Sequence, residues 1–218
     1  MVTVVVGVAS LLLWSTTSDA QSVSGYASAV QATVLGTTTA LSHTGTLVDA
    51  NDAREASQLT GSIPSLLQAE VLHATAISSV QGSDASGAVG SEASLANLGL
   101  TVAGNAIAAE FVMARALAPV GAVPVGVPAV EGLSVDGVPI WVTGEPNQTI
   151  SLPGATIVLN EVRTSASGIT VTALKVTSID GLTDVAVATA VAGVTSVESA
   201  TVSEPATTLL GQTVPLSP

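Results

Sequence analysis

Hydrophobic and polar residues alternate along much of this chain, which is the pattern of half-buried β-strands. In residues 183–191 the valines and Thr189 share one face, while Asp184 and the alanines share the other. In residues 169–179 the apolar positions change face near Ala173. Such a change requires either a β-bulge or a strand that passes from one sheet to another.

Turn signals separate several of these β-prone runs. Each pairs glycine with Asn or Asp, residues that tolerate positive φ, and so predicts a two-residue β-hairpin turn. Residues 66–80 and 105–118 also fit a helical period, but the turn signal before residue 105 favours a strand for the second of them. The signals are Gly104-Asn105, Asp136-Gly137 and Asp180-Gly181.

The proline-rich stretch 119–128 interrupts the strands. Proline lacks the N–H that a central strand donates, so this stretch is expected to be a connection or a linker. The whole pattern predicts an all-β fold, an antiparallel β-sandwich or jelly roll with long hairpins, with a β-solenoid as the alternative. We expect a single β domain over residues 22–195, followed by an irregular tail or exchanged strand over residues 196–218.

Residues 1–21 combine an uncharged apolar run with a small-residue patch that ends near Gln21. This is the layout of a secretory signal peptide, although the usual initial Lys or Arg is missing. The run is shorter than the roughly 20 apolar residues of a membrane span. The alternative is a donor strand that completes the sheet of another copy. The apolar residues assigned to that assembly role are Val2, Val4, Val6, Val8, Leu11 and Leu13.

Charge restricts the possible partners. Sixteen carboxylates and four Lys or Arg residues give a formal net charge of −12. Such a chain repels phosphate groups, so we exclude nucleic acid as a partner. Charged residues make up only 9% of the chain, against about 25% in an average globular protein. The absence of cysteine excludes disulfides and thiolate sites.

Catalytic chemistry is not evident in the sequence, and we expect no enzyme. His43 is expected in a loop and His73 in a strand, and no Gly-x-Ser-x-Gly motif marks a nucleophile. Two pairs of carboxylates are candidate glycosidase residues, but such a pair is defined by its spatial separation, which a sequence does not give. The pairs are Glu161 with Glu70 and Asp180 with Asp184.

Ligand-binding candidates are few. Asp49, Asp52 and Glu55 supply the oxygen ligands that Ca²⁺ prefers, but their spacing is not that of an EF-hand, and a solvated polar loop is expected. We therefore expect no cofactor and no bound metal, with Ca²⁺ as the alternative. Trp141 is expected in the core, with a sugar-binding platform as its alternative. Together with Tyr26 and the acidic loop, it defines a possible glycan-binding surface.

Six short segments carry a resemblance to known proteins: GYASA (25–29), ASLANL (93–98), GLSVDG (132–137), NQTISLPG (147–154), VLNE (158–161) and ITVTALKV (169–176). Over about residues 25–194, the chain resembles the bacterial choice-of-anchor P family. The resemblance implies a secreted or surface-displayed β domain whose members carry different C-terminal sorting signals. No such anchor is recognisable after Val194, so a released or non-covalently held protein is expected.

These observations together predict a secreted or cell-surface structural protein. We expect it to associate with copies of itself, as a subunit of an extracellular fibre, matrix or coat assembled by β-strand complementation. The alternative is an extracellular adhesion module that binds a glycan or Ca²⁺.

Overall fold

The computed structural model of the chain describes residues 21–81 and 86–196. These residues form thirteen β-strands and no helix. The strands are β1 (Gln21–Val34), β2 (Thr37–His43), β3 (Ala53–Ile63), β4 (Leu67–Gln81), β5 (Ser86–Val102), β6 (Asn105–Pro119), β7 (Val125–Glu131), β8 (Ser134–Val135), β9 (Val138–Pro139), β10 (Gln148–Leu152), β11 (Ala155–Thr164), β12 (Gly168–Ser178) and β13 (Thr183–Ser196).

Two antiparallel sheets pack face to face around one core. The six-stranded sheet has the order β10-β11-β12-β13-β1-β2, and the seven-stranded sheet has the order β3-β4-β5-β6-β8-β9, with β7 also paired to β6. Strands β1, β12 and β13 of the first sheet contact β4, β5 and β6 of the second. The predicted all-β sandwich is therefore confirmed, and no solenoid forms.

Small aliphatic side chains fill the core between the sheets. The largest fully buried residues are leucines and isoleucines such as Leu72, Leu95 and Ile157, and alanine occupies many of the other inward positions. Alternation along each strand places these residues on the inner face of its sheet. Residues 105–118, predicted as a strand, form β6, and residues 66–80, which the pattern left open between helix and strand, lie almost entirely in β4.

The hairpins are present, but only one turn falls where it was predicted. Asp136-Gly137 connects β8 to β9 with φ values of 50° and 76°. The turn between β5 and β6 is Ala103-Gly104, one residue earlier than expected. Asn105 instead begins β6 and is buried, because its side-chain amide donates to the Pro153 carbonyl at 2.8 Å. The third hairpin has a four-residue connection, 179–182.

The proline-rich stretch 119–128 is only partly a connection. Residues from Val125 onwards form β7, which pairs with β6 from Leu117 to Phe111. Pro128 is tolerated because β7 is an edge strand, which pairs only with β6 in the described part of the chain. The stretch therefore contains no central strand, as predicted, but the expectation of a connection or linker was wrong for residues 125–128.

The change of face near Ala173 is confirmed, and it extends across the six-stranded sheet. In each of five adjacent strands, one residue is left out of the pairing with the neighbouring strands, and these five residues lie side by side in one row. The register of the pairing is the same before and after this row. We call it the skipped row. None of these strands passes to the other sheet. The row consists of Asn160 (β11), Ala173 (β12), Ala188 (β13), Ala29 (β1) and Ser42 (β2), all of them buried.

Both terminal predictions fall almost entirely outside the described residues. Gln21 begins β1 and Ser196 ends β13, and these two residues are paired with each other. The proposed signal or donor strand, with its assembly residues Val2, Val4, Val6, Val8, Leu11 and Leu13, lies outside the described residues, as does the rest of the predicted tail. Within the described part of the chain there is no helix with the length and hydrophobicity of a membrane span.

Candidate functional site

A polar pocket of about 210 Å³ lies on the outer face of the six-stranded sheet, across the skipped row. We call it the outer pocket. In each strand that contributes to it, two consecutive residues around the skipped row face the core. An irregularity of this kind bends strands and redirects side chains, and the outward side chains on its two sides border the pocket. Those used below are Tyr26, Glu161, Arg163, Thr172, Lys175 and Asp184.

Two ion pairs form the walls of the outer pocket. Nη2 of Arg163 donates to Oε1 of Glu161 at 2.6 Å, and the two residues share one face of β11. On the other side of the skipped row, Nζ of Lys175 lies 3.4 Å from Oδ2 of Asp184. Half of the chain's four bases thus lie in this one pocket. With two cations and two carboxylates, the pocket is locally neutral in a strongly acidic protein.

The base of the outer pocket is hydroxyl-rich. Thr172 and Thr189 are directly opposite each other on β12 and β13, and their hydroxyl oxygens are 3.2 Å apart. Both residues are buried, although they line the outer pocket. Tyr26 of β1 borders the same pocket, and its ring packs against His43 with centroids 5.4 Å apart. The pocket therefore combines hydroxyls, charges of both signs and one aromatic ring.

His43 was wrongly expected in a loop. It ends β2, opposite Ser28, and its ring packs against Tyr26. His73 lies in β4, as predicted, with Nδ1 at 3.8 Å from Glu55 on the neighbouring strand. Serines lie directly across from both histidines, but the Ser28 hydroxyl donates to the Val30 carbonyl instead, at 3.1 Å.

The candidate calcium ligands are not gathered into one site. The carboxylate of Asp52 accepts hydrogen bonds from the Val48 N–H at 3.0 Å and from Nε of Arg54 at 2.9 Å. These two interactions hold the pKa of Asp52 below its usual value, the first contributing most. Asp49 is exposed in the loop, and Glu55 is on β3. Among the described residues, no three acidic or histidine side chains converge in a way that suits a metal ion.

Trp141 was expected in the core and is instead 83% exposed. It lies between β9 and β10, where Ile140 and Val142 pack against the core. Because its two neighbours point inwards, the extended segment turns Trp141 outwards. Tyr26 therefore lines the outer pocket without Trp141, and the glycan-binding surface expected from both residues and the acidic loop does not form as one site.

The carboxylates considered as catalytic pairs either lie on different sheets or have other partners. Glu70 and Glu161 belong to different sheets. The Asp180 carboxylate accepts hydrogen bonds from the Ser178 hydroxyl and the Leu182 N–H, which lower its pKa and stabilise the β12–β13 connection. Asp184 is paired with Lys175 instead.

Sequence reasoning missed the outer pocket, although one signal pointed to it. Thr170, Thr172, Lys175 and Thr177 are polar positions on one face of β12, and their spacing changes from two residues to three at Ala173. That change marks the skipped row and hence the position of the pocket. Arg163 and Tyr26, from distant parts of the chain, carried no such signal.

No protein-family model matches the chain, and neither a curated protein nor a solved structure is similar to it. The resemblance to the choice-of-anchor P family remains a prediction from the short segments quoted above.

Proposed function

We propose that this chain is a non-enzymatic structural protein, secreted or held at a cell surface, that assembles with copies of itself by β-strand addition. The observation that carries the proposal is the edge of the seven-stranded sheet at β3, which pairs only with β4 among residues 21–81 and 86–196. The resulting assembly would be an extracellular fibre, matrix or coat.

Strand β3 is unusually accessible for an edge strand. It is eleven residues long, longer than any other strand at an edge of the two sheets. Its residues 56–63 contain neither a charge nor a proline, which are the features that usually protect such edges. Leu59 is 82% exposed in the middle of this stretch, beside the exposed Val71 of β4. An edge of this kind favours the addition of another strand.

The proposed occupant is residues 2–13 of a second copy. This segment is uncharged and rich in β-branched residues, which suit an extended strand. Two subunits of net charge −12 repel each other. Because residues 2–13 and residues 56–63 of β3 are both uncharged, contact between them adds no further electrostatic repulsion. Main-chain hydrogen bonds would supply affinity, and the alternating apolar side chains would fix the register.

The proposal is tested on native secreted material by electron microscopy and by mass spectrometry of the N-terminus. We expect filaments whose subunits retain residues 1–13. The variant Leu59→Lys places a charge on the open edge and should leave single particles. Its matched control is Leu35→Lys, because Leu35 is 73% exposed but lies in the β1–β2 turn. Single wild-type particles that begin near Gln21, or filaments of Leu59→Lys like those of the control, would contradict the proposal.

The second candidate is an adhesion module that binds glycans. The outer pocket favours it, because sugars are bound by the polar and aromatic groups that meet there. The calcium-binding form of this candidate has less support, since Asp52 is engaged by Arg54. Retention of the wild-type protein on immobilised polysaccharide, in the absence of filaments, would favour adhesion over assembly.

A further inference from the structure

We propose that the outer pocket is a binding site for a neutral sugar unit. The site uses none of the residues that sequence reasoning had grouped for glycan binding except Tyr26. It is independent of the β3 edge, which belongs to the other sheet.

The bases of the outer pocket have hydrogen-bonding capacity that the protein does not use. Among the described residues, the Arg163 guanidinium donates one hydrogen bond, to Glu161, although it has five N–H groups. Lys175 lies 3.4 Å from the nearest Asp184 oxygen, beyond the roughly 2.7–2.9 Å of a charge-assisted hydrogen bond. Its side chain is only 27% exposed. A partly buried ammonium group with donors to spare favours a polar ligand.

The charges of the outer pocket favour a neutral ligand over an anion. An anion attracted by Arg163 and Lys175 would also meet Glu161 and Asp184, in a protein of net charge −12. A hydroxyl group both donates and accepts hydrogen bonds. It can therefore accept from a base and donate to the adjacent carboxylate, whereas a carboxylate oxygen only accepts and an ammonium group only donates.

Size and shape restrict the ligand further. The pocket measures about 210 Å³, below the roughly 300–1,000 Å³ of sites for drug-sized molecules. One sugar ring, either free or as a unit of a polysaccharide, suits this volume. Tyr26 offers an aromatic surface against which the C–H groups of such a ring can pack, and the hydroxyls of Thr170 and Thr172 are within the same pocket.

The test is saturation-transfer NMR with methyl glycosides of glucose, galactose and mannose, and with glucuronate and inorganic phosphate as anionic probes. The variant is Arg163→Met. Its matched control is Arg115→Met, because Arg115 is likewise an exposed strand residue paired with a glutamate, Glu92, but on the other sheet. Thermal unfolding checks that both variants fold, and Thr170→Val replaces Arg163→Met if that variant does not.

We expect at least one neutral glycoside to bind the wild type and the Arg115→Met control. Arg163→Met should weaken that binding about ten-fold, through the loss of charge-assisted hydrogen bonds. The proposal is overturned if no glycoside binds, if only the anions bind, or if the two arginine variants lose binding equally.

Discussion

Gly126 provides a direct test of how β7 closes the sandwich. A Cβ atom at this position would overlap Cγ2 of Val171 and lie 3.0 Å from Cδ1 of Ile169, both on β12 of the facing sheet. Val171 is fully buried and β-branched, so its methyl group cannot rotate away easily. Gly126→Ala should therefore force β7 away from β12.

Overpacking of this kind costs about 1–3 kcal/mol of unfolding free energy. For a chain of this length, each kcal/mol lowers the melting temperature by about 2–4 °C. We thus expect Gly126→Ala to lower the melting temperature by about 2–12 °C, measured by differential scanning calorimetry.

Gly90 is the matched control, because it also lies in a strand of the seven-stranded sheet. A Cβ atom there would meet its nearest neighbour, Cδ1 of Leu117, at 3.7 Å, an ordinary contact. Gly90→Ala should be neutral or stabilising by up to about 1 kcal/mol. Val171→Ala should restore part of the stability of Gly126→Ala, because it removes the overlapping methyl group. If Gly126→Ala is as harmless as Gly90→Ala, β7 does not pack on β12 as described.

Three further results are expected. Asp52→Asn should lower the unfolding free energy at neutral pH, because the depressed pKa of Asp52 stabilises the fold above about pH 4. That contribution disappears as pH falls through the folded-state pKa, so urea titrations of the variant should show a shallower decline of stability in acid. Identical acid profiles for the variant and the wild type would refute this. Asn160→Val should lower the unfolding free energy by about 1–2 kcal/mol, since Asn160 has a φ of 56°. Asn160→Gly should lower it less, because glycine adopts positive φ without strain. Equal losses in chemical denaturation would argue against left-handed strain at this position. Exchange of EDTA for millimolar Ca²⁺ should leave the melting temperature unchanged, since Arg54 engages Asp52, and a clear rise in calorimetry would restore the calcium hypothesis.

The elements set by local pattern were predictable from the sequence. Alternation identified the strands, and Asp136-Gly137 identified its turn, because both depend only on neighbouring residues. The error at Ala103-Gly104 has a tertiary cause. Asn105 was expected in the turn, but its side chain is used to join the β5–β6 hairpin to the Pro153 carbonyl, so the turn moves to Ala103, which has a φ of 49°.

Trp141 shows the same limit for burial. Its size favours the core, yet its exposure is decided by Ile140 and Val142, which occupy the inward positions on either side. The outer pocket was harder still to predict. Tyr26 and Arg163 come together only because β1, β13, β12 and β11 are consecutive in the sheet, and strand order is not encoded by the pattern of any one strand.

The skipped row explains why one strand could signal a feature of the whole sheet. A strand that alone left the ladder would lose hydrogen bonds to both neighbours, and unpaired buried backbone groups are costly. Here five strands leave it at the same row, so each keeps its register on both sides. The irregularity seen at Ala173 therefore had to be repeated in β11 and β13. Straightening one strand at this row would disturb its neighbours as well, and stability and the shape of the outer pocket should change together.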